Sequence, residues 1–440
     1  MSSVTIGLLL IGLLLVLILL GMRIAIALIS VAFVGVWLLR GNMAMALMLM
    51  SIASYNGVAN YLFATIPLFV LMGQLVSISN VGRDTFDVAD ALLHRVLGGL
   101  GIATVAANTV FAAVTGVSIA SAAVFTRVAV PEMMRHGYRP SFATGTVAGS
   151  SVLGMLIPPS LLLIIYGVLA EVSIGKMFLA GLVPGLILAL AFALMIVLTA
   201  WLAPGLVFDA AKLREKQAAQ SLAPRLGLGG LVTKGAPIVL LVGVVIGGLY
   251  SGYFTPTEAG GVGAFAALVV ALLRRSLGQG RLWKVLTDTG AVSVSILILL
   301  VAAGFYGQML AVAGVPAAIS RFVHEIGLGA TGFLLVYLLL VLLLGMILDS
   351  SSILLIVVPI AAPIAQSLGF DLVHFGILTV IAVEVGLLTP PFGISIFTIH
   401  AALGDRRVSL EAIFAGALPF VGVMLAVLAL LAMAPVLVVY

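Results

Sequence analysis

The chain has 440 residues, of which 63% are hydrophobic and 8% charged, with a formal net charge of +5 and no cysteine. A soluble domain carries about 25% charged residues, so the composition excludes a soluble globular protein, and the missing cysteines exclude disulfides and thiolate metal sites. Charge-free windows of about 20 residues, enough to cross a bilayer core, recur along the chain, without the short alternating segments of a membrane β-barrel.

The expected class is an all-α polytopic membrane protein. The first apolar run, residues 4–20, lacks a basic segment before it and a small-residue cleavage site before Arg23. It reads as a retained first helix, not a signal peptide. A second run covers 24–39. Residues 42–97 are more amphipathic, with Arg83, Asp84, Asp87, Asp90, His94 and Arg95 recurring every few positions. They read as an arm along the membrane surface or at a subunit contact; the alternative is two spans joined by a charged loop. Residues 1–97 read as an N-terminal scaffold with an amphipathic arm, and 98–208 as the first of two repeats.

The longest polar stretch, 209–234, holds Lys212, Arg214, Lys216, Arg225 and Lys234. The positive-inside rule places it in the cytoplasm. Arg274, Arg275, Arg281 and Lys284 form a second cytoplasmic cluster. Two crossings fit between them, at about 235–250 and 257–273. Thr255, Pro256 and Glu258 occupy N-cap, N1 and N3 of the second crossing, the pattern of a capping box. Residues 235–311 read as central scaffold, 312–411 as the second repeat, and 412–440 as the last span. The basic residues are scattered between spans, so nucleic acid is not an expected partner.

One motif occurs twice. Gly154-Met155-Leu156-Ile157-Pro158-Pro159 returns as Gly386-Leu387-Leu388-Thr389-Pro390-Pro391, 232 residues later. Gly116 through Ser121 precedes the first copy, and Gly345 through Ser350 the second. Pro131 and Pro359 follow these segments at similar distances. Ala180-Gly181-Leu182-Val183-Pro184 and Ala415-Gly416-Ala417-Leu418-Pro419 come after the breaks. The order implies a duplicated unit: a re-entrant hairpin, a discontinuous helix and a further span.

A membrane interior tolerates a helix break only where freed backbone groups find other partners. Two successive prolines expose a cluster of carbonyls, which with neighbouring hydroxyls suit Na+. The positive end of a half-helix suits a carboxylate. The expected ion ligands are Thr115, Gly116, Ser118 and Pro158 in the first half, and Gly345, Asp349, Ser350, Thr389 and Pro390 in the second. Asn108, Ser121, Arg127, Ser160, Ser352, Gly393 and Ser395 are the expected substrate contacts. Duller readings stand beside these. Small residues also pack helices, Asp349 also suits a half-helix cap, and Arg127 also suits a salt bridge with Glu132. Glu384 reads as a relay or as a buried partner of a neighbouring group. His136, His324 and His374 fall near the ends of apolar runs and read as interfacial, without transition-metal spacing. No phosphate loop occurs, so transport energy comes from an ion gradient or a partner. No enzyme motif and no organic cofactor are expected.

The motifs resemble the large, dicarboxylate-type membrane subunit of tripartite ATP-independent periplasmic transporters. Ile157-Pro158-Pro159-Ser160 with Ile165-Tyr166-Gly167 resembles that family's first broken helix. Val172 through Gly175, Phe178 through Gly185, Gly247 through Gly252, Phe254 through Ala259, and Gly386 through Pro391 with Gly393 continue the likeness. The resemblance implies an elevator-type, Na+-coupled importer in the bacterial inner membrane. It implies a separate small four-helix membrane subunit and a periplasmic binding protein that delivers an organic anion such as a C4-dicarboxylate or sialic acid. The 42–97 segment resembles the lateral arm that meets the small subunit. Val117 and Ser395 depart from the family's usual Ser and Asn. The rival is a stand-alone ion-coupled organic-anion carrier that needs no binding protein.

Overall fold

A computed structural model describes residues 2–93, 95–209, 227–278, 280–404 and 408–440. His94, Lys212, Arg214, Lys216 and Arg225 lie outside the described residues. Seven described helices are long and apolar enough to cross a membrane. An eighth span results if Pro140–Leu156 and Leu161–Leu169, bent by 44° at their break, count as one.

The duplication is visible in the helix boundaries. The first hairpin is Gly99–Thr115 followed by Ser118–Arg135; the second is Gly329–Gly345 followed by Ser350–Ser367. The return helices both begin and end 232 residues apart, as do Pro140–Leu156 and Leu372–Leu388 before the breaks. This register pairs Pro131 with Pro363, one helical turn beyond the expected Pro359. The half-helices Leu161–Leu169 and Ile394–Leu403 follow the breaks, and then the long helices Ile174–Leu202 and Leu410–Met433.

The remaining helices pack crosswise between the halves. Ile24–Arg40 lies on Arg281–Ala313, Thr65–Ile78 on Pro256–Leu273, and Val81–Leu93 on Leu228–Tyr250. Each half supplies the support for the other.

The segment 42–97 divides. Tyr61–Ile78 is apolar enough to span, while Val81–Leu93 carries Arg83, Asp84, Asp87 and Asp90 on a helix, with Arg95 in the turn beyond it. Two of those charges turn inward: buried Asp84 accepts from Arg274 and lies 3.7 Å from Lys234, and Asp87 accepts from Lys234. Leu228–Tyr250 begins inside the stretch expected to be a polar loop, which brings Lys234 onto this acidic face.

Two crossings bring backbones together with no side chain between them. A Cβ on Gly416 would stand 1.9 Å from the Ser141 carbonyl oxygen, and one on Gly145 would stand 2.0 Å from the Gly416 carbonyl oxygen. A Cβ on Gly345 would stand 2.8 Å from Gly386 Cα. Only glycine permits these approaches. The first joins the broken helix of one repeat to the long helix of the other.

Candidate functional site

In the first half, the hairpin tip meets the break. Gly116 closes Gly99–Thr115 in the left-handed region at φ +65°, a conformation that favours glycine. Val117 is extended, and the chain becomes helical again at Ser118. At the break, Ile157 is extended and Ser160 caps Leu161–Leu169, accepting from the Leu163 N–H at 3.3 Å and donating to the Met155 carbonyl. The Leu161 N–H reaches the Gly116 carbonyl at 3.4 Å, which ties the tip to the break. Pro158 is buried with its neighbours.

Hydroxyls around this point bond mainly to backbone. Thr115 donates to the Phe111 carbonyl at 3.1 Å, and Ser121 to the Ser118 carbonyl at 3.0 Å. Asn108 donates to Ser150 Oγ at 2.9 Å, leaving its Oδ1 buried without a partner. Ser118 Oγ is also buried and unpartnered. Unsatisfied buried oxygens are uncommon and mark positions where a ligand has something to gain.

In the second half, Asp349 caps Ser350–Ser367, accepting from the Ser352 N–H at 3.2 Å and from the Ser352 hydroxyl. Its cap geometry leaves the carboxylate at the hairpin tip. Ser350 donates to Glu384 Oε1 at 3.0 Å. Thr389 donates to the Val385 carbonyl at 2.7 Å, and Gly393 takes φ +52° before Ile394–Leu403. Ser395 Oγ is buried without a partner. Here the break is open: Pro390 and Pro391 are exposed, whereas Pro158 and Pro159 are not. Both Pro-Pro bonds are cis.

Two expectations are corrected. Arg127 is exposed on the first return helix, outside the cluster formed by the tip and break. Glu132 lies 3.5 Å from Arg135 and 3.4 Å from His136, not in a pair with Arg127. Partners three and four positions away share a helix face; one five away does not. His374, expected at the interface, is buried and its Nε2 is 2.9 Å from the Leu431 carbonyl. Thr255 and Glu258 cap Pro256–Leu273 reciprocally, which leaves Glu258 committed to its own helix.

Sequence reasoning did not find a cavity of about 510 Å³ between the scaffold and the repeats. Asn56, Asn60, Gln308, Gln366 and Glu171 contribute its polar wall, and none of the expected site residues lines it. Its volume falls in the range of small-molecule sites. The amides are scattered over 310 residues of sequence, and no spacing announced them.

This arrangement of hairpins, broken helices and crossed supports is a multi-pass membrane transporter fold. The chain belongs to the DctM component family of tripartite ATP-independent periplasmic transporters, whose family model matches residues 11–437. It is 36% identical to the C4-dicarboxylate large permease protein DctM of Pseudomonas aeruginosa, covering 86% of this chain and 85% of that one. It is 30% identical to the sialic acid large permease protein SiaM of Vibrio cholerae, covering 86% of each. Against the isethionate permease protein DctMQ of Oleidesulfovibrio alaskensis it is 28% identical, covering 85% of this chain but 57% of that longer one. In fold it is similar to MtrF of Neisseria gonorrhoeae, with a TM-score of 0.58 and 15% identity, over 89% of this chain and 84% of that one. It is also similar to the YdaH transporter of Alcanivorax borkumensis, with a TM-score of 0.56 and 13% identity, over 86% and 87%. These relatives are transporters rather than enzymes.

Proposed function

We propose that this large permease subunit imports a small organic anion across a bacterial inner membrane, with Na+ as the coupling ion. The observation that carries the reading is the meeting of a hairpin tip and a helix break in each half, with buried oxygen atoms at both. Such oxygens coordinate Na+ without a dedicated charge, and Na+ held there offsets the charge of an incoming carboxylate. The C4-dicarboxylate and sialic acid relatives both handle carboxylates by name, which supports that substrate class.

The ion and the anion bind at the same pair of tips, so each favours the conformation in which the other is held. That differential affinity lets a gradient drive uptake. The two hairpins would form re-entrant tips, and the repeats would move against the crossed supports as an elevator. A periplasmic binding protein would deliver the anion, and a small four-helix membrane subunit would brace the scaffold. The greater length of DctMQ accommodates such a portion within one chain.

The test is uptake of labelled organic acids into proteoliposomes containing this chain and its small subunit. Dependence on both an inward Na+ gradient and the binding protein is the expected result. Uptake that persists without the binding protein would make the chain a stand-alone carrier; uptake indifferent to Na+ would remove the coupling ion.

A further inference from the structure

Glu384 is the acidic side chain that the proposed transport site leaves unexplained. It is 1% exposed, in the last turn and a half of the apolar helix Leu372–Leu388. Among the described residues no salt bridge reaches it. An ionisable group inside a membrane bundle is expensive and is kept for function. Its surroundings are specific. Oε1 accepts from Ser350, the first residue of the second return helix. The hydroxyl of Ser118, the first residue of the other return helix, faces the same carboxyl. Ser118 and Ser350 are 232 residues apart, the spacing of the repeat itself. One carboxyl therefore meets the same position of both repeats. The first repeat has Val152 in the corresponding place, so the carboxyl is supplied once.

The link is half made. Ser350 is bonded, while Glu384 Oε2 and Ser118 Oγ are both buried and have no partner. Each of these atoms has a bond still to make, and the Ser118 hydroxyl lies at the same carboxyl.

We propose that Glu384 is a positioning residue that couples the two hairpin tips. It holds the second tip through Ser350 and captures the first through Ser118 when the site is loaded with Na+. The coupling role rests on the Na+ reading above; the link itself does not.

The experiment is a double-mutant cycle on Ser118→Ala and Glu384→Leu, with Glu384→Gln as the conservative variant. Uptake is read against Na+ concentration, and amide hydrogen exchange is followed at residues 116–121 and 346–352 in Na+. Each single variant is expected to raise the Na+ concentration for half-maximal uptake about tenfold, on the order of one hydrogen bond. The double variant is expected to be no worse than Glu384→Leu alone. Glu384→Gln should stay near the parent, because its amide accepts from Ser350 and donates to Ser118. Exchange should quicken at both tips in Ser118→Ala, which removes one hydroxyl and leaves the fold in place. Additive effects in the cycle, or faster exchange at one tip only, overturn the proposal. If the parent chain takes up substrate without regard to Na+, the coupling ion is wrong, and the exchange data alone decide whether the tips are linked.

Discussion

A single methyl group distinguishes the glycines that join helices from those that merely occupy them. Gly416→Ala forces a Cβ to 1.9 Å from a backbone oxygen that cannot move aside as a side chain would. Overpacking of this kind costs about 1–3 kcal/mol or more. The variant should unfold several degrees below the parent in detergent, with reduced yield. Gly422→Ala, nearly two turns along on the same helix, has open space around it and should unfold at the parent temperature. Equal loss in both variants would mean that the helix, not the crossing, responds. A second residue-scale prediction concerns Asp371. Partial burial alone would raise its pKa, but hydrogen bonds from Tyr440 and from the N–H groups of His374 and Val373 outweigh this and lower it. A carboxylate with a lowered folded-state pKa adds stability above its unfolded pKa, near 3.9, and loses it as pH falls through the folded value. Asp371→Asn should therefore lower the melting temperature at neutral pH, and the difference from the parent should shrink as pH falls below about 4.

Helices carry their own punctuation, and that is the part of this chain readable in advance. The breaks at Pro158 and Pro390, the turn at Gly116 and the capping box at Thr255 are local backbone chemistry, and each lies where the sequence placed it. Partnerships between helices are another matter. Asp84 and Arg274 stand 190 residues apart, and Glu384 and Ser350 meet only because two helices pack. No periodicity encodes such a meeting. The acidic face of Val81–Leu93 shows the consequence, because charges that read as surface-facing instead fasten the helix to Leu228–Tyr250 and to the end of Pro256–Leu273. Asp84 is 8% exposed at its side chain, while Arg274 and Lys234 keep 27% and 33%. Removing the buried partner leaves the partly solvated Arg274 without its carboxylate, while Lys234 keeps Asp87, so the cost is discounted to about 1–2 kcal/mol. Asp84→Asn should lower the melting temperature, and the deficit should narrow in high salt. A deficit unchanged by salt would point to packing instead.

At the scale of the whole molecule, the two halves cannot be folded one after the other and then docked. Thr65–Ile78 finds its main support in the second half, Val81–Leu93 is shared between Gly99–Thr115 and Leu228–Tyr250, and Arg281–Ala313 finds its main support in the first. Residues 1–209 expressed alone should be degraded or fail to enter a stable detergent-soluble form. Co-expression with 227–440 should restore a complex that purifies through a tag on either piece. A stable first fragment on its own would contradict the crosswise packing.

The crossing of Gly145 and Gly416 has a mechanical consequence. A seam filled with side chains can slide or rock by exchanging rotamers, as packed interfaces ordinarily do. Two backbones in direct contact have no rotamers to exchange and no soft material between them. That crossing behaves as a weld between the repeats, and any motion of one repeat against the other must bypass it. Displacement is left to seams that contain side chains or space, and the amide-walled cavity between Arg281–Ala313 and Ser350–Ser367 is one of them.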